Sequence, residues 1–218
     1  TGEAMVGRRI TTRVAGITYA SAGIHHGLFE ALQGDRATAG LGIASIGPDH
    51  VRWEYGTDDA ITLIPNFLAT GIAAILVSLA IIVWCVFYLR GHRGASGFLA
   101  LFVLLTLVGG GIGHAVFFTV AWAYATRMRR PLAWWRRVLR PAVRGRMSRL
   151  WAPAMAASSL LFLVALELSV FGYPPGVTDP ETLLAVIWGL LLGSLATLNL
   201  AYVAAFARDL APAPEAAG

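Results

Sequence analysis

The sequence predicts an all-α protein, a polytopic integral membrane bundle of five transmembrane helices with one short interfacial amphipathic helix. Composition, run length and charge placement predict it. Of 218 residues, 57% are apolar and 13% charged, against about 25% charged in an ordinary soluble domain. The mean hydropathy is +0.67. Four apolar runs each exceed the roughly 20 residues that a helix needs to cross the hydrocarbon. These features exclude disorder, collagen, a disulfide scaffold and nearly every soluble enzyme fold, and residues 1–218 read as one membrane domain.

The first expected span, 13–33, is the least apolar, because it carries His25, His26 and Glu30. It can cross only with its polar face covered by protein. Tyr19, His26, Glu30 and Gln33 stand at i, i+7, i+11 and i+14, within about 40° of one another on a helix. His25 points away from that stripe, toward a neighbouring helix. The connection 34–60 is glycine-rich and carries Asp49, His50, Glu54, Asp58 and Asp59. A connection of that length is expected to be a lid. Its carboxylate and histidine spacing matches no metal cage, so no metal is expected.

The second span, 61–89, opens with Thr62, Asn66 and Thr70 on one face and Pro65 in its first turn. There the missing N–H of proline costs little. The third, 98–126, carries Thr106, Gly110 and His114 on one face, with Gly109 and Gly113 in GxxxG spacing. It reads as one long helix, and the alternative is a re-entrant break at Gly109–Gly113. In the basic segment 127–149, Leu132, Trp135 and Leu139 share a face, with Arg136, Arg137 and Arg140 around the rest. That pattern predicts a helix lying on anionic lipid headgroups. The fourth span, 150–172, holds Glu167, expected near the membrane face opposite to Glu30. The last, 182–207, holds Ser194, Thr197, Asn199 and Tyr202.

Five spans put the two termini on opposite sides. The 17 basic residues are all arginine, which excludes Schiff-base chemistry on lysine. The single Cys85 excludes an intramolecular disulfide or a cysteine-ligated cluster. Arg8-Arg9 precede no small-residue cleavage site and are not read as an export signal. Under the five-span reading, twelve arginines fall on one side and five on the other, with Arg90 and Arg93 dissenting. The positive-inside rule then sets a multi-pass protein of the cell membrane with its N-terminus outside and its C-terminus in the cytoplasm.

At about 1.5 Å per residue, His26, Glu30, Asn66, His114 and Asn199 are expected together in the cytoplasmic half. A partly desolvated carboxylate beside an imidazole is a proton relay. The expectation is therefore an enzyme doing acid–base chemistry, such as isomerisation or cyclisation, on a lipophilic substrate. Glu30 and His26 are the expected catalytic pair, and Tyr19, Asn66, His114, Asn199 and Tyr202 the expected binding groups. One alternative is a cytochrome b-like electron-transfer subunit, with haem held between His26 and His114. Another is a binding, transport or accessory subunit without catalysis, although no internal repeat of the transporter kind is present. The expected partners are the bilayer, its anionic headgroups and a lipophilic small molecule, and not nucleic acid.

Overall fold

The computed structural model describes residues 6–211. Among the described residues about 70% are helical, in seven helices. These are α1 (Val6–Leu32), α2 (Phe67–Val83), α3 (Gly94–Leu107), α4 (Ala115–Ala125), α5 (Ala133–Val138), α6 (Pro141–Phe171) and α7 (Pro180–Leu210). A π turn, Trp84–Tyr88, prolongs α2. Two short antiparallel strands, β1 (Gly42–Ala44) and β2 (Asp59–Ile61), pair Ile43 with Ala60 inside the connection after α1. Among the described residues, three helical stretches are long and apolar enough to cross a membrane: Phe67–Tyr88, Pro141–Phe171 and Pro180–Leu210.

α1 occupies the centre and packs on α2, α4, α6 and α7. This placement explains how a helix with two histidines and a glutamate sits among apolar partners: protein covers the polar stripe. Its glycines allow a close approach to α2. A Cβ on Gly27 would strike the carbonyl of Gly71, and the reverse holds. α6 and α7 run antiparallel and are stitched at mid-length, where Ser194 Oγ donates to the Ser158 carbonyl (2.8 Å) and Ser158 Oγ to that of Ser194 (3.0 Å). α2 begins six residues later than its apolar run. Asp59–Ile61 is drawn into the strand pair, and Asn66 caps the helix by accepting from Ala69 N (2.9 Å).

The stretch 98–126 is not one helix. It breaks between Leu107 and Ala115, where Gly109 and Gly111 take φ of +97° and +86°, a region open to glycine and costly for other residues. The backbone groups freed by the break find partners in the connection after α1 and at the start of α2. Gly109 N donates to the Ile61 carbonyl (2.9 Å), Leu63 N to that of Leu107 (2.9 Å), and Thr70 Oγ1 to that of Val108 (2.8 Å). Such satisfaction is what a break at membrane depth requires. α3 rises from the turn after α2 to the level of Glu30. α4 then descends, until the carbonyls of Arg127 and Arg130 meet Arg8 Nη1 (3.1 and 3.0 Å) at the start of α1. The pair forms a hairpin. With 14 and 11 residues, the two limbs reach about 21 and 17 Å, short of the ~30 Å hydrocarbon core.

The hairpin starts and finishes at the same end of the bundle, and the two ends of the described chain lie together there. Gly7 N donates to Asp209 Oδ1 (2.7 Å), and Arg8 Nε lies 3.0 Å from Asp209 Oδ2. α5 follows the expected face, with Leu132 and Leu139 buried and Trp135 packed on Phe206 at 4.8 Å. That face packs on the bundle, and Trp134 on its other side is 61% exposed.

The connection between α1 and α2 closes over the opposite end. Trp53, buried, donates from Nε1 to the Ser169 carbonyl (2.9 Å) near the end of α6. Tyr55 donates to Glu181 Oε1 (2.6 Å) at the start of α7. The hydrogen bond to Glu181 and the charge on that carboxylate push the Tyr55 phenol up to about 12. The Asp179 carboxylate caps α7 by accepting from Thr182 Oγ1 and from Thr182 N (both 2.8 Å), bonds that hold its pKa below the usual carboxylate range.

Candidate functional site

The buried stripe of α1 supplies the first half of the site. His26 is 5% and Glu30 0% exposed, and one turn separates them. They are not bonded to each other. Ser45, at the end of β1 and fully buried, stands between: its Oγ lies 2.9 Å from His26 Nδ1 and donates to Glu30 Oε1 at 3.0 Å. The other nitrogen of His26, Nε2, lies 3.0 Å from Asp58 Oδ2, whose side chain is 40% exposed. The lid is held in register by the Ser45 N to Asp58 carbonyl bond (2.9 Å). Gln33 Nε2 also donates to the carbonyls of Ala44 (3.0 Å) and Ser45 (2.9 Å).

The break between α3 and α4 supplies the second half. A Cβ on Gly109 would land on the Glu30 carboxylate, and one on Gly111 on the His26 ring. Glycine is needed at both positions for conformation and for space. His114 ends the break with its ring centroid 5.9 Å from that of His26. It is 3% exposed, and neither ring nitrogen has a hydrogen-bond partner. Buried polar groups in native folds are nearly always paired, so such an orphan calls for an explanation.

His26, His114 and Asp58 form the polar edge of a cavity of about 220 Å³. Its remaining walls are mainly apolar: Ala22 of α1, Phe162, Ala165 and Leu166 of α6, Ile187 and Leu191 of α7, and Trp53 of the lid. Trp188, also in the lining, is 58% exposed, so the cavity opens toward the outer surface of the bundle. An apolar chamber with a few convergent polar groups is the form of a small-molecule site.

The structure brings His26, Glu30 and His114 close together and separates the other expected residues. Glu30 does not line the cavity and is sealed behind Ser45 and Gly109. Tyr19, buried below the cavity, packs on Phe162 (4.8 Å) and lies 3.5 Å from Ser158 Oγ. Asn66 stands at the edge of α2, donating to Asp35 (2.6 Å). Asn199 and Tyr202 belong to the far end. Asn199 accepts from the Tyr124 hydroxyl (3.1 Å), while Tyr202 stacks on Tyr124 (3.9 Å) and bonds Thr12 (3.2 Å). The expected depth of Asn199 assumed that α7 ends beside the lid, but it ends beside Arg8. Glu167 is corrected for the same reason, since it faces His25 Nε2 at 3.4 Å, level with the site.

Sequence reasoning missed Ser45 altogether, and it noted Asp58 only as one of several lid carboxylates. A serine in a glycine-rich connection carries no signal of its own. Among the described residues no group of three histidine, cysteine or carboxylate side chains is arranged to hold a metal. Were His26 to hold a haem iron, it would give up its contact with Ser45 or with Asp58. No family model, no curated protein and no solved structure matches the chain.

Proposed function

We propose that this membrane protein binds a lipophilic molecule with a hydroxyl or carbonyl at one end and moves a proton on it. The observation that carries the reading is His114, buried with both ring nitrogens unpartnered at the wall of an apolar cavity. A ligand oxygen there would complete its hydrogen bonding. His26, held by Asp58, supplies the acid–base group at the same wall, while the apolar lining of α6 and α7 takes the ligand's hydrocarbon. The acid–base role falls on His26 rather than Glu30, because only His26 reaches the cavity.

The site also changes sides. With both described ends of the chain together, the arginines of α1, of the turn before α3, of 127–149 and Arg208 share one end of the bundle. Only Arg36 and Arg52 lie at the other. The positive-inside rule then sets the arginine end in the cytoplasm and the lid and cavity on the outer face.

The test is mass spectrometry of the protein purified in detergent, beside its visible spectrum. A bound lipophilic alcohol or carbonyl compound, lost when Ile187→Trp fills the cavity, is the expected result. Purified protein with an empty cavity that also takes up no such compound when it is added would overturn the reading. So would an absorption band of haem.

A further inference from the structure

We infer that Ser45 is the middle link of a proton relay running from His26 and Asp58, at the cavity edge, to the buried carboxyl of Glu30. The inference deepens the acid–base reading and rests on it for its purpose, but not for its geometry. Ser45 Oγ lies 2.9 Å from His26 Nδ1 and 3.0 Å from Glu30 Oε1. A hydroxyl has one hydrogen, so it donates to one neighbour and accepts from the other.

Two complete arrangements follow. In the first, Glu30 is a carboxylate, Ser45 donates to it, and a doubly protonated His26 donates to Ser45 from Nδ1 and to Asp58 from Nε2. In the second, a protonated Glu30 donates to Ser45, Ser45 donates to His26 Nδ1, and His26 keeps its proton on Nε2 toward Asp58. The two contain the same protons and the same net charge of minus one. Conversion moves the Nδ1 proton onto the serine oxygen as the serine proton passes to Glu30 Oε1. No heavy atom needs to move. Glu30 thus acts through His26 as a proton store, with no contact to the cavity.

The surroundings keep the path short and closed. The three linked side chains are buried, Gly109 presses on the Glu30 carboxylate, and Gly111 presses on the His26 ring. The backbone bond between Ser45 and Asp58 ties the middle of the path to its outer end. The other titratable groups nearby are His114, facing His26 across the cavity wall, the His25–Glu167 pair on another face of α1, and His50 against Phe29 (6.2 Å). None of them joins Ser45.

The relay is read by ¹⁵N NMR of the full chain, labelled at histidine, in detergent and without added ligand. His26→Gln identifies the His26 signals. In the unaltered protein the Nδ1 signal of His26 should lie between its protonated and bare limits, averaged by exchange with Glu30. Glu30→Gln leaves no mobile proton, so that signal should move to one limit. In a Ser45→Ala background the same Glu30→Gln change should move it no further, and Ser45→Thr, which keeps the hydroxyl, should restore the response. If Ser45→Ala does not fold, the comparison of Glu30→Gln with the unaltered protein decides alone. An Nδ1 signal that ignores Glu30→Gln overturns the relay while leaving ligand binding untouched. An empty cavity would overturn the acid–base reading and leave this result standing.

Discussion

At the N-terminal end of α1, Arg8 closes on Asp209 and on the carbonyls of Arg127 and Arg130, joining the first helix, the α3–α4 hairpin and the last helix in one clasp. At the other end of the same helix, a chain of polar groups stops short. His114 has no partner for either nitrogen, and Glu30 Oε2 has none either. Both ends bury charged or titratable groups. The clasp joins a cation to an anion, whereas the upper set leaves the His114 ring unpartnered at the wall of a cavity. Burial of polar groups is therefore not itself the mark of a site. Nor is a missing partner, since Arg13 Nε and Ser78 Oγ lack one as well. A buried, unpartnered group at a cavity wall is.

The clasp gives the largest expected effect. Asp209→Ala leaves the Arg8 guanidinium without its carboxylate, where the two side chains are 8% and 2% exposed. Removing one partner of such a pair costs about 3–5 kcal/mol. A thermal or chemical melt in detergent checks this, and the loss should be the same with or without ligand. An Asp209→Ala protein as stable as the parent would mean that the clasp does not hold the bundle.

Next in size is Gly111→Ala. Forcing an alanine to positive φ costs about 1–2 kcal/mol, and its Cβ also lands on the His26 ring. The expected outcome is a smaller loss of stability than for Asp209→Ala, but a larger loss of bound ligand. The two variants thus separate fold from site. Equal ligand content in both would erase the distinction.

The smallest perturbation is a pair of cysteines for labelling. Gly145→Cys, at a position with open space around it, should react only in opened cells. Leu41→Cys, 63% exposed on the lid, should react in intact ones. Cys85 is buried and need not be removed. Labelling in the reverse pattern would place the cavity on the cytoplasmic side.

Much of this molecule is legible in its sequence. Apolar run length marks the three long helices, because crossing hydrocarbon imposes a minimum length. The i, i+7, i+11 stripe of Tyr19, His26 and Glu30 falls on the buried face of α1, because a helix repeats every 3.6 residues whatever surrounds it. The glycines at 109–113 are visible too, but not their consequence. Whether such a run packs as a helix or turns back depends on what satisfies the freed backbone. Here that partner is β2 and Thr70, more than thirty residues earlier. Every depth after that point follows from the turn, so the expected levels of Asn199 and Glu167 are inverted. Ser45 and Asp58 had no periodic signal at all, since a lid contributes side chains through tertiary contact alone.

The central claim is that a lipophilic molecule sits with its polar end at His114 and His26. Photoaffinity labelling with a long-chain alcohol bearing a diazirine in its hydrocarbon tests it most directly. The account predicts saturable adducts on cavity residues such as Phe162, Ala165 and Ile187, abolished by excess unlabelled alcohol and reduced in His114→Phe. Adducts spread without saturation over the exposed apolar surface at Leu76, Leu160 and Leu192, unchanged in His114→Phe, would contradict it.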